Sequence, residues 1–146
     1  EAESYIADYF DKHQAVKEYM DNQVEFCKAN GYTETIVGRR RYIKEINSSN
    51  FMTRKLGERL AMNSPIQGSA ADIIKLAMIS VYKALKYCNL KSKLILQIHD
   101  ELIIDTEIGE ENQVSELLVN CMQNAMDLKV KLLSQLNTGR NWYELK

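Results

Sequence analysis

The sequence predicts an α+β fold in which a small antiparallel sheet packs against several helices. Three observations carry this. Apolar residues recur at helical spacing near the N-terminus and again over residues 66–87. Two short β-prone runs, residues 94–98 and 102–104, meet at the polar trio His99, Asp100 and Glu101. A second β-prone pair flanks Gly38. The 146 residues hold no repeat, low-complexity tract or flexible linker. They suffice for one domain with a real core, or for a substantial piece of a larger one.

Residues 3–29 keep an apolar stripe through Tyr5, Ile6, Tyr9, Phe10, Val16, Tyr19, Met20 and Val24, and Asn30-Gly31 is a good helix stop. Tyr5, Tyr9 and Tyr19 are expected in a core. The chain opens in mid-helix with no cap and no methionine, so it reads as a piece of something longer. Residues 32–37 form a strand, Gly38 a turn, and residues 41–46 a returning strand. The polar loop Asn47, Ser48, Ser49 and Asn50 can cap a helix over residues 51–62. Asn63-Ser64-Pro65 is expected to end that helix, with Ser64 capping a new one that has Pro65 in its first turn. That helix, residues 66–87, carries the strongest pattern in the chain, and Gly68, Ala70 and Ala71 would admit a neighbouring backbone. Beyond the hairpin around His99, a helix starts at Glu110-Glu111 and fades near Leu128. A last strand is expected over residues 130–136, followed by a Thr138-Gly139 turn and Trp142-Tyr143.

A net charge of −1 excludes the global basic field of a nucleic-acid coat protein. Any attraction to phosphate must be local, and Arg39, Arg40, Arg41, Lys44, Arg54, Lys55 and Arg59 do cluster. Cys27, Cys88 and Cys121 are odd in number and widely spaced, which reads as reduced, packed thiols. The acidic, amphipathic N-terminus is neither signal peptide nor membrane span, and no apolar run is long enough to cross a bilayer. These features lead to the expectation of a cytoplasmic protein.

Ionised carboxylates between β-prone runs are either a solvated turn or a metal-holding tip. Hard ions such as Mg²⁺ take carboxylate oxygens and complete their shell with water and substrate phosphate. Asp100 and Glu101 cannot both face one point in regular β geometry, so one would be the ligand and the other would sit beside it. Asp105 and Glu107 lie further down the strand, and Asp8 and Asp11 on a solvated helix face. A site at Asp100 therefore needs an acid from outside this chain. Upstream, Arg59, Asn63 and Gln67 recur every four residues and would share one face of a continuous helix, although Pro65 can bend it. Such a ridge is either ordinary polar surface or a set of donors to groove acceptors common to all base pairs. Asp72 reads as a helix-surface or salt-bridge carboxylate. Arg39 to Arg41 read as a structural turn with some contact to nucleic-acid backbone.

Residues 59–72 contain Gln67-Gly68-Ser69-Ala70-Ala71-Asp72, and Gln97-Ile98-His99-Asp100-Glu101-Leu102 follows at a set distance. This pair of motifs, with collinear flanks from Tyr5 through Gly38-Arg39-Arg40 to Gly139, Trp142 and Tyr143, resembles the C-terminal part of the polymerase domain of bacterial family A DNA polymerases. The resemblance implies a palm-type antiparallel sheet packed with helices and joined to the last helices of the fingers. Residues 1–62 would be the end of the fingers and residues 63–146 the end of the palm. It further implies that Asp100 is one of two metal-binding aspartates and Glu101 its acidic neighbour, supporting the catalytic site without being indispensable. His99 would lie near the primer terminus, with Arg54, Arg59, Asn63 and Gln67 on the primer–template. Gly57 stands where the family more often has Ala, and Thr53 where some members carry Arg; these departures bear at most on a phosphate contact.

The implied activity is DNA-directed DNA synthesis, a nucleotidyl transfer from deoxynucleoside triphosphates with Mg²⁺. The second aspartate and the nucleotide-gripping fingers helix would lie in the remainder of the polymerase, so this piece alone is expected to be inactive. A non-catalytic nucleic-acid-binding module and a metal-dependent nuclease are the alternatives.

Overall fold

The computed structural model describes residues 2–145. It combines helices with two separate two-stranded antiparallel sheets, in agreement with the α+β expectation. The chain divides into two compact units, Glu1–Ser69 and Ala70–Lys146, with the division falling inside its longest helix.

The first unit begins with α1 (Ala2–Lys12) and α2 (Gln14–Asn30). Gly31 ends α2 at φ 77°, and its N–H donates to the Cys27 carbonyl at 2.7 Å, the left-handed cap that glycine adopts without a Cβ penalty. Strands β1 (Tyr32–Glu34) and β2 (Arg40–Tyr42) then pair, with Thr33 opposite Arg41 and Glu34 opposite Arg40. After a 3₁₀ turn over Lys44–Asn47, helix α3 runs from Phe51 to Tyr87. The Asn50 side-chain oxygen accepts from the Thr53 N–H at 3.1 Å and caps it. Cys27, Ile43, Ile46 and Ala61 form this unit's core, flanked by Val24 and Leu60.

In the second unit, α3 contributes Ile74, Ala77, Val81 and Leu85 at helical spacing to a core completed by Leu102 and Val114. Leu102 comes from the hairpin β3 (Lys93–Ile98) and β4 (Glu101–Asp105), and Val114 from α4 (Glu111–Gln123). Glu110 fastens the approach to β3: its carboxylate accepts from the N–H groups of Lys91 and Ser92 and from the Ser92 hydroxyl.

Several expectations need correction. The N-terminal helix is two helices, interrupted at His13 (φ −122°, ψ 54°), although no glycine or proline marks the break. Tyr5 and Tyr9 are exposed, not packed in a core, and Cys88 is exposed. The returning strand is shorter than expected and gives way to the 3₁₀ turn. Pro65 does not start a new helix. It sits inside α3, which continues through it, and Ser64 is buried within the helix instead of capping it. The expected strand at 130–136 is irregular, with Val130 and Leu133 exposed. A strand needs a partner for its backbone groups, and this segment pairs with none among the described residues. Among those residues no helix is long and apolar enough to cross a membrane.

Candidate catalytic tip and nucleic-acid ridge

Two elements carry the predicted site residues, one in each unit. The tip belongs to the second. Ile98 pairs with Glu101, so His99 and Asp100 form a two-residue hairpin loop. His99 has φ 49°, the hand that suits the twist of paired strands but one usually left to glycine or asparagine. The Gln97 side-chain amide donates to the His99 carbonyl at 2.7 Å and holds the turn from below. No role was expected for Gln97, although it stands inside the motif that marks the tip.

Asp100 belongs to the turn and not to a strand, so strand alternation does not separate it from Glu101. Both border one groove of about 720 Å³, which is otherwise mainly apolar, with Ile73, Ile74, Ala77, Leu102 and Trp142 in its wall. His99, Asp100 and Glu101 are all exposed. The carboxylate oxygens of Asp100 and Glu101 are hard donors that suit a magnesium-type ion. Two carboxylates are too few for a protein-only cage, and no group of three or more His, Cys, Asp or Glu positioned for a metal occurs among the described residues. The donor set fits a site shared with water, phosphate and a carboxylate from elsewhere.

The ridge belongs to the first unit. Because α3 is unbroken at Pro65, Arg59, Asn63 and Gln67 do lie along one helix face, and all three are exposed. Beside them, Lys55 bonds Glu58 at 2.7 Å and thereby holds the Glu58 carboxyl below its ordinary pKa. Arg54 is different. It is half-buried, its Nη1 donates to the Ser48 carbonyl at 2.9 Å, and its guanidinium lies 5.8 Å from the centre of the Phe51 ring. This gives Arg54 a local task in holding the loop that caps α3. Ser69, which carries no sequence signal for it, ties the β1–β2 hairpin to α3: its hydroxyl accepts from the Ile36 N–H at 2.9 Å and donates to the Pro65 carbonyl at 2.6 Å.

The family described as DNA polymerase family A matches residues 1–144. The DNA polymerase I of Caldicellulosiruptor bescii is 53% identical over 146 residues, which is 100% of this chain and 17% of that protein. The DNA polymerase I of Borreliella burgdorferi is 47% identical over 145 residues, covering 99% of this chain and 16% of that protein. Among solved structures, the POL domain of Pol1 from M. smegmatis, in complex with DNA primer-template and dNTP, superposes with a TM-score of 0.95 at 43% identity. That match covers 99% of this chain and 25% of the other. The chain thus spans only about a sixth of the curated relatives it matches.

Proposed function

Since this chain belongs to DNA polymerase family A, we propose that it serves as part of a DNA-directed DNA polymerase that extends a primer from deoxynucleoside triphosphates. The observation that carries this reading is the hairpin tip, where Asp100 and Glu101 border one groove, in a chain that matches the family nearly end to end. Residues 1–62 are read as the end of the fingers and residues 63–146 as the end of the palm. The bound partners would be primer–template DNA, the incoming nucleotide and the rest of the polymerase, working in the cytoplasm. The likeness to a polymerase domain solved with primer-template and dNTP supports this reading.

In such a reaction the primer 3′-hydroxyl attacks the α-phosphate in line and pyrophosphate leaves. Asp100 would hold Mg²⁺, with Glu101 beside it and a further aspartate from outside this chain. When bound, Mg²⁺ supplies Lewis-acid stabilisation of charge on the phosphoryl oxygens and the attacking oxygen. Asp100 contributes fixed negative charge at a turn that Gln97 keeps in place. His99 presents its ring next to the primer end. Arg59, Asn63 and Gln67 donate to the duplex, where acceptors shared by all base pairs report pair geometry without sequence. Arg54 adds positive charge while anchoring the cap of α3.

Replacing Asp100 by Ala in the polymerase that contains this chain tests the reading. Extension is expected to fall by about 1,000-fold or more, while affinity for primer–template stays near normal. Near-normal extension by that variant removes the assignment.

A further inference from the structure

The three consecutive arginines are sorted by the alternation of the strand. Arg40 takes one face, where its Nε donates to Glu34 at 2.7 Å and its guanidinium stacks 4.5 Å over the Tyr32 ring. Arg39 and Arg41, two residues apart, share the other face and reach α3. Arg39 Nη2 donates to the Gly68 carbonyl at 3.1 Å, and Arg41 Nη1 donates to the Ser64 hydroxyl at 3.1 Å.

The stretch of α3 that they reach is weakly held by its own ladder. Pro65 has no N–H, so the Ala61 carbonyl loses its normal helical donor. Gly68 lowers helical preference, and a serine bonding back to the carbonyl four residues earlier, as Ser69 does to Pro65, tends to bend a helix. The hairpin adds bonds to this stretch from outside the helix. Besides the two arginine bonds, the Ile36 N–H binds the Ser69 hydroxyl. Thr35 packs so tightly on Gly68 that an added Cβ would lie 2.6 Å from its methyl group. Gln67 falls inside this bracket, and with Ser64, Gly68, Arg39 and Arg41 it lines a small cavity of about 90 Å³.

We propose that Arg39 and Arg41 are positioning residues, which fix the turn of α3 around Pro65 and so set the aim of Gln67 at the DNA minor groove. The proposal rests on the polymerase reading above. It makes the sensing of base-pair geometry depend on a hairpin whose guanidinium groups need not touch DNA. A planar fork that reaches a carbonyl or hydroxyl at a fixed angle does this better than a flexible ammonium.

The test uses the polymerase that contains this chain, with Arg39→Ala, Arg41→Ala and their Lys counterparts, each alone and combined with Gln67→Ala. Extension past a mismatch, relative to a matched primer end, is expected to rise about tenfold in the Ala variants. On matched DNA at saturation, kcat should stay within about threefold. Amides of residues 66–69 should exchange faster with solvent. In the Gln67→Ala background the arginine changes should add nothing further to mismatch extension. The Lys variants, which keep charge and are the milder change, should lose part of the discrimination without altering the salt dependence of DNA binding. Additive effects with Gln67→Ala, unchanged exchange at 66–69, or a salt slope reduced by about one on removing either arginine each overturn the proposal, the last because it marks a direct phosphate contact. An unmodified polymerase that extends no primer would instead overturn the functional reading and, with it, the DNA role assigned here.

Discussion

Gly57 packs directly on the backbone of Ile46: a Cβ added at Gly57 would lie 2.7 Å from the Ile46 nitrogen. The 3₁₀ turn that carries Ile46 thus sits closer to α3 than any residue with a side chain permits. Alanine is worth about 1 kcal/mol over glycine in a helix interior, whereas forcing an extra carbon into a packed contact costs about 1–3 kcal/mol. Gly57→Ala is therefore expected to be destabilising by about 1 kcal/mol, read as a lower urea midpoint with unchanged slope. A stabilised variant would show that the turn can retreat freely.

The cap of α3 gives a second expectation. Asn50 satisfies the Thr53 N–H, one of the donors that the helix start leaves without a partner. Asn50→Ala should cost about 1 kcal/mol, and Asn50→Asp should be nearly neutral. Thermal unfolding of the two variants beside the parent measures both.

These two contacts also show what could be read in advance. The cap was visible because Asn, Ser and Asn before an apolar run have a local meaning. The hairpin tip was visible for a similar reason, since His99-Asp100-Glu101 interrupts runs that want to be strands. Pro65 misled because its usual role at a helix start is judged from one residue, whereas here a hairpin some 25 residues upstream holds the turn that the proline weakens. Residues 130–136 misled for the complementary reason, as apolar content favours a strand only if a neighbour offers an edge. The break at His13 has no signal in composition at all. Of the candidate site, the hairpin tip and the shared helix face of Arg59, Asn63 and Gln67 were legible, but the anchoring of Arg54 on Ser48 and of the tip by Gln97 depends on where carbonyl groups end up.

Glu110 should shape the response to acid. Hydrogen bonds from the Lys91 backbone, then from the Ser92 side chain, lower its pKa below the ordinary value. A carboxyl depressed in the folded state stabilises fully above its unfolded value, about 4.3, and that contribution is lost as pH falls through the lower folded value. Glu110→Gln should thus be less stable than the parent at neutral pH, with the gap narrowing below about pH 4. Urea midpoints measured between neutral and acid pH check the sign. A gap that widens on acidification would contradict it.

Gln67 gives the most direct test of the ridge. On the proposed reading, Gln67→Ala in the polymerase that contains this chain should weaken primer–template binding by about three- to thirtyfold, the range of a lost hydrogen bond to about two, and should relax mismatch rejection. Fluorescence anisotropy and single-nucleotide extension from mismatched ends measure the two effects. Unchanged affinity together with unchanged discrimination would leave the ridge as plain surface.

The left-handed backbone at His99 has one more implication. Glycine would hold that bend at lower steric cost, because an L side chain in this conformation is disfavoured by about 1–2 kcal/mol. On the polymerase reading proposed above, that cost is offset by what the imidazole meets at the primer end and not by the sturdiness of the loop. His99→Gly should consequently yield a hairpin that melts no earlier than the parent while the imidazole's contribution disappears, so folding and workmanship part company at a single backbone angle.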